Sequence, residues 1–216
     1  MPLIPAREGA TAAPDARRQG AVAVDLAERL LLLALYLWFL HHFIPSIWGQ
    51  PYNMIVMIAE TFTMSLVLIR RAGETATSFY AWVIAFIGTC LPLFVAPSGP
   101  SIVPVWGAGF LMLYGLLISF SAKLSLRRSF GVVAARRSVR HGGPYQIIRH
   151  PMYLGYLVTN VGALLINPSV WNLSIYGSSF LANLLRIAEE ERMLSKDSAY
   201  REYVGAVRFR LIPGLF

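Results

Sequence analysis

Three long apolar runs dominate the chain. Leu30 to Ile69 carries a single charge, Glu60, while Thr75 to Ala122 and Pro151 to Leu185 carry none. A membrane helix needs about 20 apolar residues, so each of the first two runs is long enough for two spans. Each run breaks near its middle at turn residues: Pro45 and Gly49-Gln50-Pro51 in the first, Pro97-Ser98-Gly99-Pro100 in the second, Asn167-Pro168 in the third. Proline and glycine interrupt helices on steric grounds, and Asn-Pro favours a turn. The pattern predicts an all-α integral membrane protein of five to six transmembrane helices arranged as hairpins. The third run has only 35 residues, or about 17 per arm, which leaves five and six spans both open.

Composition agrees with a bilayer solvent. Hydrophobic residues make up 56% of the 216 and charged residues 14%, against about 25% charged in a soluble domain. All nineteen Lys and Arg residues fall outside the uncharged tips. They cluster at Arg7 to Arg29, at Arg70-Arg71, from Lys123 to Arg149, and from Arg186 to Arg210. The positive-inside rule then places both termini in the cytoplasm. The 17 Arg against 2 Lys suggest a GC-rich bacterial source, hence an inner membrane. The net charge of +8 is thus a one-sided topology signal, and no nucleic-acid fold accompanies it. One cysteine, Cys90, excludes an internal disulfide. Residues 1–25 read as a flexible tail and not as a cleaved signal, because their small-residue stretch precedes the apolar run. Residues 26–122 then supply four helices. Residues 123–216 supply a basic loop, a last hairpin and a tail.

Chemistry concentrates in that last part. No acidic residue occurs between Glu74 and Glu189, so the loop from Lys123 to Arg149 carries seven uncompensated positive charges. These attract anionic headgroups, or form a site for a carboxylate or phosphate, which the arginine fork binds in a bidentate way. The loop ends in Gly142-Gly143-Pro144-Tyr145 and Arg149-His150-Pro151-Met152-Tyr153-Leu154-Gly155. Pro151 suits the first position of a helix, which leaves His150 at an N-terminus where backbone donors favour an anion. The plain alternative is a loop-to-helix turn with interfacial aromatics. Acids return in Arg186-Ile187-Ala188-Glu189-Glu190-Glu191. This is either a solvated helix end, with Arg186 paired to Glu189 at i,i+3, or an acidic cluster facing the basic loop and suited to a zwitterionic ligand.

Taken in order, Gly143-Pro144-Tyr145 with Arg149-His150-Pro151-x-Tyr153-x-Gly155, the Asn167-Pro168 tip, Arg186 with Glu190-Glu191-x-x-Leu194, and Tyr200-x-x-Tyr203 with Arg208 and Ile212-Pro213 resemble the isoprenylcysteine carboxyl methyltransferase family. That family of integral membrane enzymes is related to the phospholipid methyltransferases. The resemblance covers about the last 90 residues, and Arg128-Ser129-Phe130-Gly131 is similar to a further family segment. It implies methyl transfer from S-adenosyl-L-methionine, held in a cytoplasmic pocket built by the C-terminal part, to a lipophilic substrate entering from the bilayer. The residues it singles out for the cofactor are Gly143, Tyr145, His150, Pro151, Tyr153, Glu190 and Glu191. Arg128 (or Arg127) and Arg186 would hold a substrate carboxylate, which needs no general base because it is already anionic. If the acceptor is an amine, Glu190 or Glu191 is the first place to look for a base.

Other residues read as structural. Glu60 is an intramembrane carboxylate, a functional candidate by default, with no matching cation inside any predicted span. His41-His42 lack further ligands for a metal. Cys90 reads as core packing, and Gly107, Gly109 and Gly115 as sites of close helix contact. A phospholipid N-methyltransferase, an NADPH-dependent reductase of steroid type and a non-catalytic lipid-binding protein are the competing functions.

Overall fold

The computed structural model describes residues 12–69, 79–97, 100–126 and 142–214. Among them are eight α-helices and no strand. The helices are α1 (Ala12–Phe43), α2 (Ser46–Gly49), α3 (Asn53–Ile69), α4 (Phe79–Cys90), α5 (Val105–Leu126), α6 (Pro151–Ile166), α7 (Val170–Leu194) and α8 (Ser198–Ala206). A 3₁₀ turn, Leu91–Phe94, extends α4, and another, Gly143–Gln146, precedes α6. By length and composition α5 is the one described helix that can cross a membrane outright, whereas α3, α4 with its extension, and α6 are shorter apolar helices. The breaks fall at the proline and glycine sites expected. α1 begins at Ala12, so the part of the tail from Ala12 to Asp25 is helical, as its content of alanine and arginine favours.

The hairpins do not each close on themselves. The most extensive packing pairs α5 with α6 and α4 with α7, while α1 packs on α3. Small residues explain the first pair. A Cβ on Gly155 would stand 2.6 Å from the backbone N of Ser119 and 2.7 Å from the carbonyl O of Gly115. One on Gly115 would meet the backbone N of Thr159 at 2.5 Å. Backbones approach this closely only where side chains are absent. Gly109 makes room for the Tyr52 ring, and Gly107 faces open space. In the second pair, Ser179 donates to the carbonyl of Gly88 at 3.0 Å, and Asn183 fills the space beside that glycine. Because α6 and α7 take their main partners elsewhere, the last hairpin splays open between its arms.

Its tip is anchored by side-chain amides. Asn167 donates to Asn53 Oδ1 at 2.9 Å, and Asn53 donates to Ser46 Oγ at 3.0 Å. Asn172 donates to the carbonyls of Ala96 (2.7 Å) and Asn167 (2.8 Å) and accepts from the N–H of Ala96 (3.0 Å). All three asparagines are buried. Ser169 caps α7, its hydroxyl accepting from the N–H of Asn172 at 3.0 Å. Apolar side chains fill the rest of the bundle, with Phe39, Phe43, Leu32, Met112 and Ile166 fully buried.

Candidate functional site

Four segments converge at the end of the bundle opposite this tip. Gly143 has φ +63°, a left-handed conformation that glycine adopts without steric cost. Its turn buries Tyr145, whose carbonyl accepts from the Tyr203 hydroxyl at 2.7 Å. Pro151 opens α6 with His150 as its N-cap residue. The tail lies along this segment: the N–H groups of Arg149 and His150 donate to the carbonyls of Phe209 and Arg210, each at 2.9 Å. The last turns of α7 complete the site.

The two glutamates of α7 point in different directions, as neighbours on a helix must. Glu191 is the hub of one cluster. Its carboxylate takes Arg149 at 2.9 Å, His150 Nε2 at 3.2 Å and Arg210 at 2.8 Å. Burial opposes its ionisation, but the His150 hydrogen bond and the charges of His150, Arg149 and Arg210 outweigh it and hold the carboxyl below its ordinary range. Glu190 anchors the other. Its Oε1 accepts from the Tyr153 hydroxyl at 2.7 Å and from Arg186 Nε at 3.2 Å. The Arg186 guanidinium lies 5.5 Å from the centre of the Tyr153 ring, within cation–π range. His150 Nδ1 stands 4.0 Å from Glu190 Oε2, so the imidazole bridges the clusters. Glu189, expected opposite Arg186, pairs with Arg192 instead at 3.0 Å. Arg186 takes the i,i+4 partner because that direction faces Tyr153 and the interior.

The structure therefore brings together Gly143, Tyr145, His150, Pro151, Tyr153, Arg186, Glu190 and Glu191. Arg128 lies outside the described residues. Three participants were not singled out individually in the sequence: Arg149, Arg210 and Lys123. Lys123 corrects the reading of Glu60. It is 1% exposed inside α5, not part of the cytoplasmic loop, and it acts electrostatically on Glu60. Glu60 thus has a cation within the bundle after all.

Two cavities border the site. One, of about 160 Å³, is the opening between α6 and α7, with Leu157, Val161, Leu164, Leu173 and Phe180 along its length and Tyr153 at its end. The other, of about 360 Å³, lies against the end of α7 and is lined by Leu184, Ile187, Ala188, Glu191, Arg192, Ser195 and Arg210. Beside Glu191 are two buried polar atoms without a hydrogen-bond partner among the described residues, Arg149 Nε and the Tyr200 hydroxyl. Burial, then the charge of Glu191, raises the Tyr200 phenol well above its usual pKa, so it is a donor at neutral pH. Unpaired buried donors cost about 1–3 kcal/mol each, a cost that an acceptor on a ligand would relieve.

Residues 103–201, slightly less than half of the chain, match the family model described as phospholipid methyltransferase. The match begins just ahead of α5 and ends in α8. It contains the glycine turn, the His150-Pro151 start of α6 and the Arg186–Glu191 segment, and it excludes α1 to α4. No curated protein matches the chain.

Proposed function

We propose that this protein transfers a methyl group from S-adenosyl-L-methionine to a lipophilic acceptor drawn from the bilayer. The carrying observation is that the apolar opening between α6 and α7 runs into the Tyr153–Glu190–Arg186 cluster. The acceptor's chain would lie along Leu157, Val161 and Phe180, with its head beside Arg186. The family match supports the reaction class. The cofactor supplies an electrophilic methyl group on a sulfonium. The residues present fit its amino acid end: Arg149 and Tyr200 offer unpaired donors to a carboxylate, and the acidic pair on α7 suits an ammonium. Tyr145 and Tyr153 add aromatic faces at the same end of the bundle.

Within this reading we favour a carboxylate acceptor of isoprenylcysteine type. Amine methylation requires a base, and both nearby acids are already engaged. Glu191 is held ionised by three basic side chains, and one oxygen of Glu190 carries two hydrogen bonds. A carboxylate needs only alignment and exclusion of water, which a buried Arg186 and an apolar groove support. The topology that goes with it has both termini cytoplasmic, the acidic end of α7 lying at the basic face.

The test uses the full chain purified in mild detergent. S-adenosylhomocysteine should raise its thermal stability and NADPH should not. Labelled methyl groups should pass to a farnesylated cysteine mimic in preference to phosphatidylethanolamine. No stabilisation by the sulfur ligand removes the methyltransferase reading. Transfer to the phospholipid amine alone removes only the carboxylate.

A further inference from the structure

A second polar region lies deeper in the bundle and meets the clusters above only at Arg186. Glu60 sits midway along α3, and with Thr63, Thr89, Asn160, Asn183 and Arg186 it lines a cavity of about 30 Å³. That is space for one or two waters. Lys123 enters from α5. Its ammonium donates to Thr63 Oγ1 at 2.6 Å and lies 4.7 Å from the centre of the Tyr156 ring.

Such a cavity is costly inside an apolar bundle. Ionisable groups at membrane depth are expensive and tend to mark functional sites, and a buried ion pair stabilises no better than apolar packing of the same volume. The cavity also lies in a telling place. It shares Tyr156, Asn160 and Asn183 with the apolar groove between α6 and α7, and Arg186 with the proposed reaction centre. A head lying beside Arg186 therefore has a carboxylate on the other wall, and the space between admits one small polar group and not a sugar or a phosphate.

We propose that this cavity is a second headgroup subsite, in which Glu60 accepts a hydrogen bond from an N–H or O–H of the acceptor a few bonds from the atom that receives the methyl group. Glu60 is then a determinant of acceptor specificity, and Lys123 a positioning residue that holds Thr63 in place. The proposal deepens the methyltransferase reading and rests on it. Glu60 lies outside the family match, which begins at residue 103, whereas Lys123, in α5, lies within it.

The experiment compares matched acceptors on the full chain in lipid nanodiscs. One acceptor of each pair carries an N–H beside the carbon that bears the accepting group, and the other has CH₂ in its place. A pair of lipophilic acids and a pair of lipophilic amines are both used. The wild type should prefer the N–H member by about threefold to tenfold in kcat/KM, the range for a single net hydrogen bond. Glu60→Gln should erase most of that ratio while S-adenosylhomocysteine binding stays unchanged. A wild type that does not discriminate, or a Glu60→Gln protein that slows both members equally, overturns the subsite, and the cavity then only holds water. If Glu60→Gln does not fold, the wild-type ratio decides alone. Absence of transfer to all four acceptors, with no binding of the sulfur ligand, is the separate failure of the methyltransferase reading and takes the subsite with it.

Discussion

Replacing Glu191 by Gln keeps its shape and removes its charge, which makes it the sharpest probe of how the site is held. The carboxylate side chain is 12% exposed, and its partners Arg149 and His150 are 9% and 7% exposed. Breaking a buried ion pair by removing one partner costs about 3–5 kcal/mol, because the other charge is left uncompensated. The amide of the variant still accepts one hydrogen bond, so the lower end, about 3 kcal/mol, is expected. Arg210 is 44% exposed, and an exposed pair contributes at most about 1 kcal/mol. Arg210→Gln should therefore cost far less than Glu191→Gln. The assay is equilibrium unfolding in mixed micelles, titrated with a denaturing detergent. The pH dependence supplies a second check. The folded carboxyl lies below its ordinary value, so its contribution is present above the unfolded-state value of about 4.3 and is lost as pH falls through the lower folded value. The gap between wild type and variant should stay constant from neutral pH down to that range and close only beneath it. A Glu191→Gln cost under about 1 kcal/mol, or a gap that closes near pH 6, would refute the reasoning.

Three further outcomes follow from the geometry. Gly155→Val places a side chain against the backbone of α5 and should abolish folded yield on size-exclusion chromatography, whereas Gly107→Ala, in open space, should leave it unchanged. Tyr153→Phe removes the donor to Glu190 and should cost about 1.5–3 kcal/mol in stability, the range for a hydrogen bond to a carboxylate, while lowering kcat at least tenfold with S-adenosylhomocysteine affinity retained. Asn172→Leu removes three hydrogen bonds at the tip and should cost about 2–4 kcal/mol in the same unfolding assay, with the turnover of the surviving folded protein unaltered.

Much of this architecture is legible in the sequence because its signals are local. Proline, glycine and Asn-Pro mark the break within each apolar run, and Pro151 marks the start of α6. The pairing of helices is not local, and it differs from the hairpin order for that reason. Gly115 reads from the sequence as a site of close helix contact, but its counterpart Gly155 lies on another helix, and each leaves room for the other's carbonyl. Lys123 is the clearest case. It is the first basic residue after an uncharged run, so counting charges assigns it to the loop. What makes it an interior residue is Thr63 on α3 and Tyr156 on α6, sixty residues before it and thirty-three after. The acid cluster is half readable. Its partnership with the His150 segment follows from motif order, but which glutamate faces which cation depends on the rotation of α7, set by Tyr153 and by the tail.

The asparagine-held tip has a bearing on where the chain tolerates change. α6 has 16 residues and rises only about 24 Å, less than the roughly 30 Å of a hydrocarbon core. On the bilayer reading proposed above, the turn at Asn167-Pro168 would therefore be drawn below the surface, where no water is at hand for its backbone groups. Asn172 takes the place of that water at the Asn167 carbonyl, and Asn53 and Ala96 hold the two asparagine side chains in position. A turn of this kind is a plug and not a loop. A reporter tag or glycosylation sequon inserted there would unseat three helices at once, whereas one fused beyond the tail would leave the bundle intact.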